Sequence, residues 1–539
     1  MESVTERVDR VFATWAKASS PGCALAVMQD GDMVYKQGYG MANLEYHIPI
    51  TPKPIFHVAS VSKQFAAMAM AMLASEDRLS LDDDVRQYIP ELPDFGDTIT
   101  IRHLLHHVSG LRDQWELLIL AGWRMDDVIT TEDILELVQR QQELNFKPGE
   151  EYLYCNTGYT LLGIAVERVS GRSLREFCDE YIFQPLGMHS THFHDDHEMI
   201  VENRAYSYAP KNENSFKHSV LSYATVGATS LFTTVEDLAL WERNFYEGTV
   251  GGKDVIQQMH TQGVLNDGEQ IEYALGLAIT DYRGLKVVEH SGGDAGYRCH
   301  LMRFPEQHFS VAILGNLSTM NPSELAKRVA DIYLADVLAD DSAAEDETSS
   351  IELSPEQLAC RAGVYYSAAT ATTRRLEMRD EKLIVALGPG FELEPLSENH
   401  FQMAAFPQVK LRFESTVDGT LQMHEITRSA KPVIYEAVVT VTPTMEELAA
   451  YTGAYYSPEL GVNYTVMVQQ EQLILQRRKY GTSQLLPTFV DGFIGDITPD
   501  PWGSGRLNIV FNRDDRAHVT GFKLSTGRVR NLRFVRQNA

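Results

Sequence analysis

Residues 64–73, Gln-Phe-Ala-Ala-Met-Ala-Met-Ala-Met-Leu, form a nearly unbroken apolar run that starts directly after Ser60-Val61-Ser62-Lys63. The run predicts a buried helix. A second apolar stretch over residues 160–166 predicts another packed helix. Between them lies the polar, Pro- and Gly-containing stretch Lys147-Pro148-Gly149-Glu150-Glu151, which predicts a turn. That turn puts Tyr154 and Asn156 on a loop between packed elements, where side chains can point into a cleft. Residues 285–289 alternate enough to predict a strand running into His290-Ser291-Gly292-Gly293. Beyond residue 350 the pattern changes to short alternating segments, such as residues 376–379 and 382–387, punctuated by Gly and Asp.

The change of pattern coincides with an acidic, non-periodic stretch at residues 339–350, read as a linker. An internal repeat follows it. Glu356, Leu358, Ala359, Gly363, Tyr365, Tyr366 and Ser367 recur as Glu446, Leu448, Ala449, Gly453, Tyr455, Tyr456 and Ser457, each pair 90 residues apart. The tail is therefore expected to hold two similar antiparallel barrels. The expected organisation is a catalytic domain over 1–338, a linker over 339–352, a first barrel over 353–440 and a second over 441–539.

Composition narrows the picture. At 539 residues the chain is long enough for two or three cores, and 44% apolar with 22% charged content is ordinary for a globular protein. The net charge of −27 argues against nucleic acid as a partner. No apolar run reaches membrane-spanning length, and the N-terminus shows no basic-then-apolar signal pattern. The five cysteines, Cys23, Cys155, Cys178, Cys299 and Cys360, are odd in number and widely spaced. They read as reduced thiols, and the expected location is cytoplasmic. The expected partners are a small-molecule or short-peptide substrate, with no nucleic acid and no membrane, and a homodimer is left open.

The candidate chemistry begins at Ser60 and Lys63. Three residues apart at a helix start, they share one face, so the amine can reach the hydroxyl. Burial disfavours a charged lysine, and a neutral one can deprotonate serine. Tyr154 is placed to relay the proton to a leaving group, and Asn156 to orient the acyl part of a substrate. The glycines of His290-Ser291-Gly292-Gly293 let a substrate backbone approach the strand edge. His189, His192, His194 and His197, with Asp195, Asp196 and Glu198, lack metal-site spacing and are expected to be a solvated loop. No metal and no cofactor are expected.

The ordered set S-x-x-K, Y-x-N, H-x-G resembles the penicillin-recognising serine hydrolases: class C β-lactamases, DD-peptidases, related esterases and D-aminopeptidases. Residues 100–111, 156–159, 185–188, 233–238 and 273–276 look like the same family, so the resemblance covers roughly residues 8–335. It implies an α+β fold: a β-lactamase/transpeptidase-like catalytic domain, with an antiparallel sheet flanked by helices plus an all-α part. The two barrels follow. It also implies an oxyanion hole formed by the backbone amides of Ser60 and Gly293, with His290, Gly292 and Gly293 lining the substrate site. Many relatives carry lysine where this chain has His290. A largely neutral histidine would hold a substrate carboxylate less firmly, which points to amides, esters or N-terminal residues. Tandem barrels narrow the resemblance to bacterial D-aminopeptidases, in which a loop of the last barrel reaches the active site. The matching segment is 496–503, with Asp500 expected to line the pocket. The rival readings are a cytoplasmic esterase or weak β-lactamase, and a non-catalytic ligand-binding member of the family.

Overall fold

The computed structural model describes residues 2–213, 215–339, 350–386, 390–417, 419–427, 431–477, 481–497 and 505–537. The chain divides into two compact units. The first comprises Met1–Leu111, Met125–Gln139 and Phe146–Asp340, and the second Arg112–Arg124, Arg140–Asn145 and Asp341–Ala539.

Nine strands and four helices of the first unit matter for the site. The strands are β1 (Cys23–Gln29), β2 (Asp32–Tyr39), β3 (Phe56–His57), β4 (His192–Phe193), β5 (Leu231–Thr233), β6 (Ala278–Tyr282), β7 (Leu285–Asp294), β8 (Tyr297–Phe304) and β9 (Phe309–Gly315). The helices are α1 (Val4–Phe12), α2 (Ser62–Ser75), α3 (Asn156–Ser170) and α4 (Pro322–Tyr333). A six-stranded antiparallel sheet runs β6-β7-β8-β9-β1-β2. One face packs against α1 and α4 through Val8, Phe12, Leu25, Val311, Ile313, Leu325 and Val329. A capping box at Ser3 and Glu6 starts α1 and satisfies two of its free amides. A smaller sheet, β3-β5-β4, sits beside the nucleophile turn described below.

The apolar run that predicts a helix is α2, buried on every side from Lys63 to Ala71. That is the pattern of a helix inside a core rather than on a surface. The helix begins at Ser62, and Ser60 lies just before it in a 3₁₀ turn, Ala59–Val61. The expected loop ends earlier than its sequence suggests, since Asn156 is the first residue of α3. The expected strand is longer, for β7 carries His290–Gly293 inside it and ends at Asp294. The histidine segment is not a solvated loop throughout. His192 and Phe193 form β4, His194 is buried, and both histidine rings pack on Phe232. Burial pushes both imidazoles down to about 4. Among the described residues no cluster of His, Cys, Asp and Glu is arranged to hold a metal. Nor is any described helix long and apolar enough to cross a membrane.

The second unit contains two closed eight-stranded antiparallel barrels. The first runs from Gly363–Ser367 to Val433–Val438 and the second from Gly453–Ser457 to Val529–Arg536. The 90-residue repeat has a local cause. Each barrel opens with a short capped helix whose leucine, Leu358 or Leu448, is buried. In each, a tyrosine hydroxyl donates to the carbonyl four residues back, Tyr365 to Arg361 at 2.8 Å and Tyr455 to Tyr451 at 2.7 Å. Most of the linker, residues 340–349, lies outside the described residues.

Two segments drawn from the middle of the first unit's sequence belong to the second. Arg112 is fully buried, donates to Arg530 O at 3.0–3.1 Å and pairs with the buried Glu459 carboxylate. Helix Gln114–Ala121 follows, with Leu117, Leu118, Ile119 and Leu120 buried. Tyr464 donates to Leu120 O at 2.6 Å, and Asn145 bonds the backbone of Arg528 and Arg530.

Candidate active site

The site grows from the join of β3 to α2. β3 pairs with β5, His57 opposite Phe232, and Val58 N–H donates to Leu231 O at 3.0 Å. The chain then turns sharply at Ala59, a non-glycine residue at φ +46°. This left-handed conformation is disfavoured by the side-chain methyl and has to be held by surrounding bonds. Ser62 supplies two of them, its hydroxyl donating to Ala59 O and accepting from Leu231 N–H at 2.9 Å. Ser60 is thereby presented at the head of α2.

Lys63 is completely buried, one helical turn further on. Its Nζ donates to Ser60 Oγ at 3.1 Å, Asn156 Oδ1 at 2.8 Å and Ala228 O at 2.8 Å. Each of these three can accept an N–H bond of the ammonium. If the amine loses one proton, its two remaining N–H bonds match Asn156 and Ala228. The lone pair then faces the serine hydroxyl. Asn156 Oδ1 thus accepts from the lysine, a contact that its sequence reading does not include.

Tyr154 stands beside this pair, with Lys63 Nζ 4.8 Å from its ring centroid. Tyr159 lies behind at 5.6 Å. Both ring faces attract a cation. The Tyr154 loop is held by His107, whose Nδ1 accepts from Cys155 N–H at 3.0 Å and whose ring packs 4.2 Å from that of Tyr154.

Strand β7 closes the site. β6 pairs with it only as far as Glu289, so its edge from His290 onward has no strand partner on that side among the described residues. A Cβ at Gly292 would lie 2.2 Å from Val58 O, 2.6 Å from Cys299 Sγ and 3.1 Å from Ser60 N. Glycine here is thus a requirement of close packing against the nucleophile turn. His290 donates from Nδ1 to Ser291 O at 2.6 Å, so its Nε2 accepts from Tyr273 OH at 2.9 Å. Burial, then the Lys63 charge, pushes its imidazole down to about 3. It is neutral at pH 7, and β7 presents no fixed positive charge there. Asp500 and most of the 496–503 segment lie outside the described residues.

His107 and Tyr273 lie in the family-like segments 100–111 and 273–276, where no role is assigned to them, and Ser62 and Ala228 have no role in the motifs, nor do His57, Thr229 and Asp294 described below. Local cues exist for two of them. His57 stands three residues before the serine, and Asp294 directly follows the glycine pair.

A buried lysine bonded to a serine at the head of a core helix, beside a strand edge with no strand partner among the described residues, defines a serine-hydrolase site. The sequence profile described as Beta-lactamase matches residues 8–335. The chain belongs to that family and is a serine hydrolase of it. It is similar to the D-aminopeptidase of Gluconobacter oxydans (strain 621H), 29% identical over 373 residues, 68% of this chain and 67% of that one. Similarity to a D-aminopeptidase of Brucella anthropi is 24% over 523 residues and spans 96% of this chain and 95% of the other, barrels included. Among solved structures, the octameric penicillin-binding protein homologue from Pyrococcus abyssi matches with a TM-score of 0.57 at 26% identity. That match covers 81% of this chain and 100% of the other.

Proposed function

We propose that the chain hydrolyses amide bonds through an acyl-enzyme on Ser60, as a D-aminopeptidase-like enzyme releasing N-terminal D-residues from short peptides or amides. The observation that carries the reading is the Lys63 Nζ to Ser60 Oγ contact at 3.1 Å, held by Asn156 and Ala228. Ser60 Oγ attacks the carbonyl carbon while its proton passes to the Lys63 amine. The carbonyl oxygen becomes an oxyanion, received by the Ser60 and Gly293 amides; one such donor is worth about 3–4 kcal/mol. The tetrahedral species collapses, and the amine leaves with a proton from Lys63 by way of Tyr154. Water then attacks the ester, gives its proton back through the same groups, and the acid departs with Ser60 restored. The tyrosine rings favour the lysine in its charged form midway through each half.

Two observations support the substrate class. His290 is neutral where a carboxylate-binding cation would be needed. The match to a D-aminopeptidase extends through both barrels. The expected occupant is one small-molecule or short-peptide substrate. Five free cysteines, four of them buried, support a cytoplasmic, reducing location.

The test is a panel of D- and L-aminoacyl p-nitroanilides beside nitrophenyl esters and a chromogenic cephalosporin. D-aminoacyl anilides are expected to turn over fastest, and a preference for esters or the cephalosporin would overturn the assignment. Ser60→Ala should abolish turnover and leave the circular dichroism spectrum intact. A serine-reactive phosphonate should label Ser60; label on another serine would refute the mechanism.

A further inference from the structure

The two expected oxyanion donors lie on different elements, Ser60 on the turn between β3 and α2, Gly293 near the end of β7. A directed chain of hydrogen bonds joins their neighbours. Ala59 N–H donates to His57 Nδ1 at 3.2 Å, which puts the imidazole proton on Nε2. Nε2 then donates to Thr229 Oγ1 at 3.2 Å. The Thr229 hydroxyl donates in turn to Asp294 Oδ2. The chain thus begins one residue before Ser60 and ends one residue after Gly293. All three side chains are buried. The anchored amide is that of Ala59, the strained position at φ +46°.

We propose that His57, Thr229 and Asp294 are positioning residues that hold the Ser60 and Gly293 amides at a fixed separation, so that both meet the same oxyanion. The inference rests on the serine-hydrolase reading of Ser60. The chain works in one direction only. A protonated His57 could not accept from Ala59, and burial together with the nearby Arg204 and His194 keeps the ring neutral. Thr229 is doubly suited to the task, because the carbonyl of its neighbour Ala228 also anchors Lys63. One short segment thereby fixes the base and the oxyanion hole together. A small displacement of either amide weakens transition-state binding far more than substrate binding.

The test uses the full chain and a fluorophosphonate, whose phosphoryl oxygen takes the oxyanion position as Ser60 is modified. Thr229→Val keeps shape and removes both bonds; Thr229→Ser keeps the hydroxyl. The expected result is a loss of about tenfold or more in labelling rate for Thr229→Val, with kcat on a nitrophenyl ester falling in parallel and KM unchanged. Thr229→Ser should recover to within about threefold of wild type. Should Thr229→Val fail to fold, His57→Phe carries the same test, since its ring keeps the packing on Phe232 and Tyr297. A loss smaller than about fivefold, or a Thr229→Ser variant as slow as Thr229→Val, overturns the proposal. Absence of label on wild-type Ser60 overturns the serine-hydrolase reading first and this inference with it.

Discussion

At the scale of single residues, the site turns on how Lys63 divides its protons. Asn156 Oδ1 and Ala228 O hold two N–H bonds in place, and the third direction points at Ser60. Lys63→Met removes the proton acceptor and takes a shared donor from two buried oxygens. Turnover is expected to fall by about 10²–10⁴, and stability by about 1–3 kcal/mol. Steady-state rates on a nitrophenyl ester and urea unfolding measure the two effects. A variant within tenfold of wild type would show that another group takes the serine proton. The pairing of Ser60 with Lys63 is legible in sequence because three residues on one helical face must be neighbours. The roles of Asn156, His57 and Asp294 are not, because their partners lie 93, 172 and 65 residues away. Nothing local reveals that the Asn156 oxygen accepts from Lys63.

At the scale of elements, the apolar runs locate α2 and α3, and turn chemistry places the Tyr154 loop. What periodicity misses is where each element stops. The turn at Ala59 depends on bonds from β5, which postpones the start of α2 to Ser62. Strand β7 runs on through its glycines because β8 pairs with it as far as Asp294. The same strand presses on the nucleophile turn at Gly292, where a methyl group has no room. Gly292→Ala should therefore force β7 away from Val58, costing about 1–3 kcal/mol of stability. Ser60 labelling should slow by about 10². Thermal melts and phosphonate labelling read both effects together. An unchanged labelling rate would mean that β7 does not position the nucleophile.

At the scale of the molecule, the first unit stores several histidines in their neutral form. Burial depresses His57, His192, His194, His260 and His290. Each binds a proton near pH 6.5 once unfolded and resists it when folded. The unfolded state thus binds more protons below that pH, and stability falls as the solution is acidified from about 6.5 towards about 4. Each such group contributes a slope of about 1.4 kcal/mol per pH unit. The buried carboxyls of Asp237 and Glu242, and that of Glu116 in the second unit, shift upward and oppose the trend, but they are fewer. The urea midpoint at pH 5 is expected below that at pH 7.5. An equal or higher midpoint would mean that the histidines are hydrated in solution. The tandem barrels are legible from the 90-residue repeat. The contribution of residues 112–124 and 140–145 to the second unit is not, because it pairs sequence positions more than 300 apart.

That last arrangement sets a timetable for the nascent chain. Roughly 400 residues separate helix Gln114–Ala121 from the final strand, and synthesis at about 5–20 residues per second takes about 20–80 s to cover them. The six-stranded sheet can close well before then, since all of its strands precede residue 316. Through that interval the helix lacks the later-made residues of its own unit and is tethered at both ends to the first. Arg112 meets its carbonyl acceptor only when Arg530 emerges, so the buried cation near the front of the chain is among the last groups to be satisfied.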